Sequence, residues 1–229
     1  MKVTISRDVF SKFNAKLKII LVDVKNIDNR LHVKESSLLL RETEQLVRMT
    51  FNNDTIKTHG LISPWVTAQQ EFGSSAKHYR TSVEHYLNQV LRKKDISSNN
   101  TITNLIRYLS LKYLVPMGAD DSAKVRGNLT FGIAKGGEGV NLIHTLKRGA
   151  FYYHDERRVL GTKLDYWKSS KTALDKQSKR VFIHLEVLPP LSMKKEKELL
   201  DEMNYLIKTF CKGKVTVKVL DKRKRSCVV

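Results

Sequence analysis

The chain has 229 residues, 41% of them hydrophobic, which is enough for one sizeable core and too apolar for a disordered chain. Lysine and arginine number 42 against 23 acids, a formal charge of +19, so a polyanionic partner is expected: nucleic acid first, an anionic membrane surface second, with lysine enrichment from habitat as the plain alternative. There is no 18-residue apolar run to span a membrane, the first residues are too polar for a signal peptide, and Cys227 stands third from the end, one place off a prenylation box.

Residues 2 to 6 alternate as a short strand, and 7 to 15 suit a short helix with Val9, Phe10 and Phe13 on one side. The dense apolar run from Lys16 to Val24 predicts a strand buried on both faces. Residues 33 to 51 read as a long helix with Leu39, Leu40, Thr43, Leu46, Val47 and Phe51 inward, and 52 to 64 as polar loop. Trp65 to Phe72 reads as a short helix before a Gly73-Ser74-Ser75 joint. Two amphipathic helices follow. Val83, Tyr86, Leu87, Val90 and Leu91 share one face of the first, which Thr81 or Ser82 caps and Arg92, Lys93 and Lys94 close. After the polar loop 97 to 100, Ile102, Leu105, Ile106, Leu109 and Tyr113 share one face of the second, which Pro116 ends. Pro116 to Asp121 reads as a turn around Gly118.

Beyond Asp121 strands take over: Leu129 to Ala134, Ala150 to Tyr153, Val159 to Leu160, and the strongest, Val181 to Leu188, stopped by Pro189 and Pro190. Ser192 caps a helix to about Lys212, with Leu199, Met203, Leu206, Ile207 and Phe210 inward and Gly213 at its C-terminus. Lys214 to Leu220 is a last strand, and Lys222 to Arg225 a mobile basic tail. The expected fold is α+β: mixed and antiparallel sheets, β-sandwich-like, covered by helices.

Chemistry-bearing motifs are sparse. Gly136-Gly137-Glu138-Gly139 lacks the Lys-Ser or Lys-Thr of a phosphate loop and reads as a hairpin turn. Cys211 and Cys227 give neither a disulfide framework nor a zinc site, and the seven histidines show no metal-ligand spacing, so no metal and no cofactor is expected. A reducing cytoplasm is the default for such cysteine usage. His154-Asp155-Glu156 reads as a solvated turn, and no nucleophile elbow or triad is visible. Glu186 is the most informative acid. Alternation puts it on one face with Phe182, His184 and Leu188, either at a solvent-facing edge or on a pocket wall.

Lys77, Arg80, Ser82 and Glu84, then a helix and a polar loop, then Ser110-Leu111-Lys112-Tyr113, Pro116, Gly118-Ala119 and Asp121 form an ordered pattern. Gly137-Glu138, Arg158 to Gly161 and Leu185-Glu186-Val187 extend it. The pattern resembles free-standing relatives of the B3/B4 module, the editing domain of the phenylalanyl-tRNA synthetase β subunit. The resemblance spans roughly residues 65 to 188 of one domain, with flanks at 1 to 60 and 190 to 220 and a basic tail at 222 to 229.

The resemblance implies hydrolysis of the ester of a misacylated tRNA, with the wrong amino acid in a pocket and the 3′-terminal adenosine across its mouth. It implies that Glu186 acts as selector, at the position that recognises a tyrosine hydroxyl in the synthetase, beside His184, Gly161, Gly118 and Ser110. Gly118 stands near where the synthetase carries histidine. Asn104 or Arg107 stands at its asparagine, Arg107 fitting the Ser110-Leu111 anchor better. The implied partner is aminoacylated tRNA, with no DNA specificity. Lys77, Arg80, Ser82, Arg92, Lys93, Lys94, Arg157 and Arg158 are its candidate contacts, joined by Lys147, Arg148 and Lys222 to Arg225. A catalytically inactive RNA-binding module of the same fold is the alternative, and an unrelated α+β enzyme for a small anionic substrate a third.

Overall fold

The computed structural model describes residues 1–65, 81–140, 145–162 and 164–229. In chain order the elements are β1 (Lys2–Ile5), α1 (Arg7–Lys12), β2 (Lys18–Lys25), α2 (Val33–Thr50), α3 (Asn53–Thr58), α4 (Ser82–Leu91), α5 (Thr101–Tyr113), β3 (Met117–Asp121), β4 (Leu129–Ile133), β5 (Phe151–His154), β6 (Val159–Thr162), β7 (Trp167–Lys168), β8 (Arg180–Val187), α6 (Met193–Cys211), β9 (Lys214–Leu220) and β10 (Ser226–Val228).

Two sheets stack. One runs β10-β1-β4-β5-β6-β7, antiparallel except for β1 beside β4, and the other runs β3-β8-β2-β9, wholly antiparallel. The apolar runs of β2 and β8 explain the arrangement, since such strands need cover on both faces. Ile19, Leu21 and Phe182 pack against Val3, Ile5, Phe131 and Tyr153 of the six-stranded sheet. Ile20, Val22, Val24, Val181, Ile183 and Leu185 face the other way, onto Leu40 and Val47 of α2, Leu87 of α4, Leu105 and Leu109 of α5, and Met203 and Ile207 of α6. The layers are therefore sheet, sheet, helices, and the α+β expectation holds.

Several local expectations do not hold. Pro116 to Asp121 is no turn. Met117–Asp121 forms β3, because β8 offers it a ladder with Gly118 opposite His184 and Asp120 opposite Phe182. The loop at 52 to 64 contains α3, nucleated by the Asn52 and Thr55 capping box. Leu46 is 61% exposed, not buried; the inward stripe of α2 runs through Leu40, Thr43 and Val47. At the end of α6 the left-handed residue is Lys212 (φ 57°), one before Gly213. Gly213 is needed for space instead, since a Cβ would crowd Ile27, Ile207 and Val24. The basic tail is a turn held by Asp221, whose carboxylate accepts from the backbone N–H groups of Arg223 and Lys224, and it leads into β10 on β1. Asp155 is no solvated turn residue. It is 1% exposed and accepts from the backbone of Arg126, Arg157 and Arg158. The predicted helix at 65 to 72 and its following joint lie, beyond Trp65, outside the described residues.

Candidate functional site

A cavity of ≈ 330 Å³ opens between α4, the start of α5, β3 and the turn joining β6 to β7. Its position follows from local chemistry. Thr81 caps α4, its hydroxyl accepting from the Glu84 N–H while Glu84 accepts from the Thr81 N–H. The adjacent Ser82 backbone N–H donates to Leu164 O (3.0 Å), and the Ser82 hydroxyl accepts from the Met117 N–H (3.2 Å). The fully buried Ser82 therefore joins α4 to both the β6–β7 turn and β3, which excludes it as an RNA contact.

The turn itself is strained. Leu164 (φ 54°) and Asp165 (φ 59°) are successive non-glycine residues in the left-handed region. This backbone carries the Asp165 side chain under the cavity floor, with only 2% of it exposed. Its carboxylate lies between two glycines: a Cβ on Gly118 would overlap Oδ2, and one on Gly161 would overlap Oδ1. The two glycines provide the space that this buried acid occupies.

Around Asp165 is a charged array. Glu186 Oε1 lies 2.6 Å from His184 Nδ1, and His184 Nε2 lies 3.1 Å from Asp165 Oδ2, an ion-pair contact outside hydrogen-bonding geometry. Lys168 Nζ lies 3.7 Å from Asp165, and donates to the Tyr153 hydroxyl (2.6 Å) and Asp120 Oδ2 (3.1 Å). The Tyr153 hydroxyl donates to the same Asp120 oxygen (2.8 Å), and Thr172 donates to the other.

Electrostatics follow from the geometry. Burial disfavours a charged His184, yet Asp165 and Glu186 outweigh it and hold its pKa raised to about 10. Burial raises the Glu186 carboxyl above its ordinary value, against the pull of His184. Burial likewise opposes the charge on Asp165, but Lys168 and His184 prevail and keep it below the usual carboxylate range. Lys168 is raised because Asp120 and Asp165 overcome its desolvation.

Of the residues expected from the sequence, Gly118 and Arg107 border the cavity. Gly118, Gly161 and His184 meet at Asp165. Glu186 is 1% exposed on the inner strand β8, one step behind His184, so the edge alternative is excluded. Arg107 donates to Ile96 O and lies 5.7 Å above the Tyr86 ring. Asn104 is fully buried and pins the 96 to 100 loop, donating to Ser36 Oγ and Ser98 O and accepting from the Ser98 N–H. Ser110 donates to Val115 O (2.8 Å) at the end of α5. Arg92, Lys93, Lys94 and Arg157 are exposed. Arg158 is instead tied to Asp155 and Lys124 O. Lys77 and Arg80 lie outside the described residues. Asp165, Lys168, Asp120 and Tyr153 were not singled out by sequence reasoning.

The sequence profile of the B3/4 domain matches residues 65–222, well over half of the chain. The chain belongs to the B3/4 domain family. The match runs past residue 188 and takes in α6 and β9 of this B3/4 domain. Among solved structures, an N-terminal fragment of the phenylalanyl-tRNA synthetase β-subunit from Pyrococcus horikoshii is similar, with 10% identity and a TM-score of 0.43 over 93% of this chain. The B3/4 chain covers 49% of that fragment, about half its length. No curated protein matches it. No helix among the described residues is long and apolar enough to cross a membrane.

Proposed function

We propose that this B3/4 domain is a tRNA-editing hydrolase that removes a wrongly attached amino acid from tRNA. The observation that carries the reading is the cavity itself: a small cleft on the matched region, floored by Gly118 above the buried Asp165, His184 and Glu186 array, in a chain of charge +19. The similar fragment comes from a phenylalanyl-tRNA synthetase β-subunit, and the proposal extends that tRNA setting to this chain.

In this reading the aminoacyl group sits in the cleft and the tRNA backbone follows the basic surface. Water adds to the ester carbonyl, the bond to the ribose oxygen breaks, and that oxygen leaves with a proton as a hydroxyl. The requirement is positioning and a donor for the developing oxyanion, not a side-chain nucleophile. β3 is an edge strand whose Met117 N–H points outward to Ser82. The Ala119 N–H, two residues along, points the same way, on the cleft wall. Ala119 is thus the candidate oxyanion donor, while Gly118 and Gly161 make room for Asp165.

The test is a deacylation panel: purified protein with tRNAs carrying tyrosine, phenylalanine and other amino acids, with binding followed at two salt concentrations. Release of one or a few amino acids, redirected or lost in Glu186→Ala with tRNA affinity retained, is the expected result. Salt-sensitive binding without release replaces the hydrolase by a binding module.

A further inference from the structure

Beneath the cleft three carboxylates, Asp120, Asp165 and Glu186, meet two cations, Lys168 and His184. Asp120 has donors on both oxygens, Thr172 on one and Tyr153 with Lys168 on the other, and Glu186 on Oε1 alone, from His184. Asp165 differs: among the described residues neither oxygen accepts a hydrogen bond of good geometry, Oδ2 having only the ion-pair contacts of His184 Nε2 (3.1 Å) and Lys168 Nζ (3.7 Å), although its side chain is buried and borders the cleft. A buried carboxylate without donors is costly, and native structures rarely leave one so. Among the described residues the cluster sets three carboxyls against two cations, so with all three ionised one negative charge is uncompensated. The Asp165 carboxylate fills the space a side chain at Gly118 would need, at the border of the cleft.

We propose that Asp165 is the anchor for a primary ammonium group of the ligand, which enters from the cleft and supplies both the missing donors and the missing positive charge. The inference rests on the reading above in taking this cleft as the ligand site. A hydroxyl offers a donor but leaves the charge unbalanced, whereas an ammonium offers three donors and one charge. Both an α-amine and a side-chain amine carry that group.

Four amino-acid amides separate the two sources: norleucine amide (α-ammonium alone), Nα-acetyl-lysine amide (side-chain ammonium alone), lysine amide (both) and Nα-acetyl-norleucine amide (neither). Titration by calorimetry and by backbone amide NMR is expected to show at least one single-ammonium probe binding about tenfold or more tighter than the blocked probe, the scale of one charge-assisted hydrogen bond. The tighter single-ammonium probe names the source. Asp165→Asn, which keeps the shape and loses the charge, should remove the preference. If that variant does not fold, the wild-type shifts decide: ammonium probes alone should move the Gly118 and Asp165 amides. Equal binding of all four, no binding of any, a preference that survives Asp165→Asn, or shifts confined elsewhere overturns the anchor. None of these readings needs hydrolysis. An amine preference without deacylation sinks the hydrolase and keeps the anchor, and deacylation without an amine preference does the reverse.

Discussion

Gly118 and Gly161 matter for what they lack. Each stands where a methyl group would displace the Asp165 carboxylate. Gly118→Ala is therefore expected to lower stability by about 1–3 kcal/mol, the usual cost of overpacking a tight site. Gly132→Ala is the control: it is also a buried strand glycine, but its Cβ meets nothing closer than Ser6 Oγ at 3.5 Å. Urea denaturation of both variants checks this, and equal losses would detach Gly118 from the array. His184 gives a pH prediction. Its folded pKa of about 10 exceeds the unfolded value of 6.5, so the folded state keeps a proton the unfolded chain has released. That contribution is complete below pH 6.5 and is lost as pH rises from 6.5 to 10. The melting temperature should fall across that window, and fall less steeply in His184→Gln. The alternation of β8 put His184 and Glu186 on one face, as the structure does. Asp165 could not be placed beside them, because its position comes from two left-handed residues that no local motif announces.

Among the elements, those built on periodic apolar residues were legible: α2, α4, α5, α6, β2 and β8 all stand where the spacing puts them. Two that were not legible have physical reasons. β3 is spelled Met-Gly-Ala-Asp-Asp, poor in strand formers, and exists because β8 pairs with it. α3 has a single buried apolar residue, Ile56, and depends on its cap. α4 links both sides of the cleft, so its first turn should matter beyond helix propensity. Thr81→Ala removes the cap and is expected to cost about 1 kcal/mol. It should also loosen Ser82, and with it the attachments to Leu164 and Met117. Chemical denaturation gives the cost, and amide exchange at Met117 the loosening. A stability loss with Met117 protection unchanged would separate the cap from the cleft.

At the scale of the whole molecule, the +19 charge must be divided between groups that build the fold and groups that face solvent. Arg180 is committed to Asp23, Lys168 to Asp120, and Arg158 to Asp155, so none is available to a partner. Lys222, Arg223 and Lys224 are exposed, and the turn that presents them is held through backbone N–H bonds to Asp221 rather than through their own side chains. Charge and fold can therefore be separated here. Replacing all three by glutamine should leave the melting temperature within about 1 °C, because surface changes away from special features are nearly neutral. If the turn lies along tRNA, the same replacement should weaken binding and flatten the plot of log affinity against log salt by roughly 2 to 3, since each of three phosphate contacts releases about 0.7–0.9 of a counterion. Removing residues 226–229 is the contrasting change. It takes β10 off β1, where Lys2 pairs with Val228 and Thr4 with Ser226, so it should lower the melting temperature while leaving the basic turn in place. An unchanged salt slope in the triple glutamine variant would move the tRNA path off this turn and toward the exposed Arg92, Lys93 and Lys94 at the end of α4.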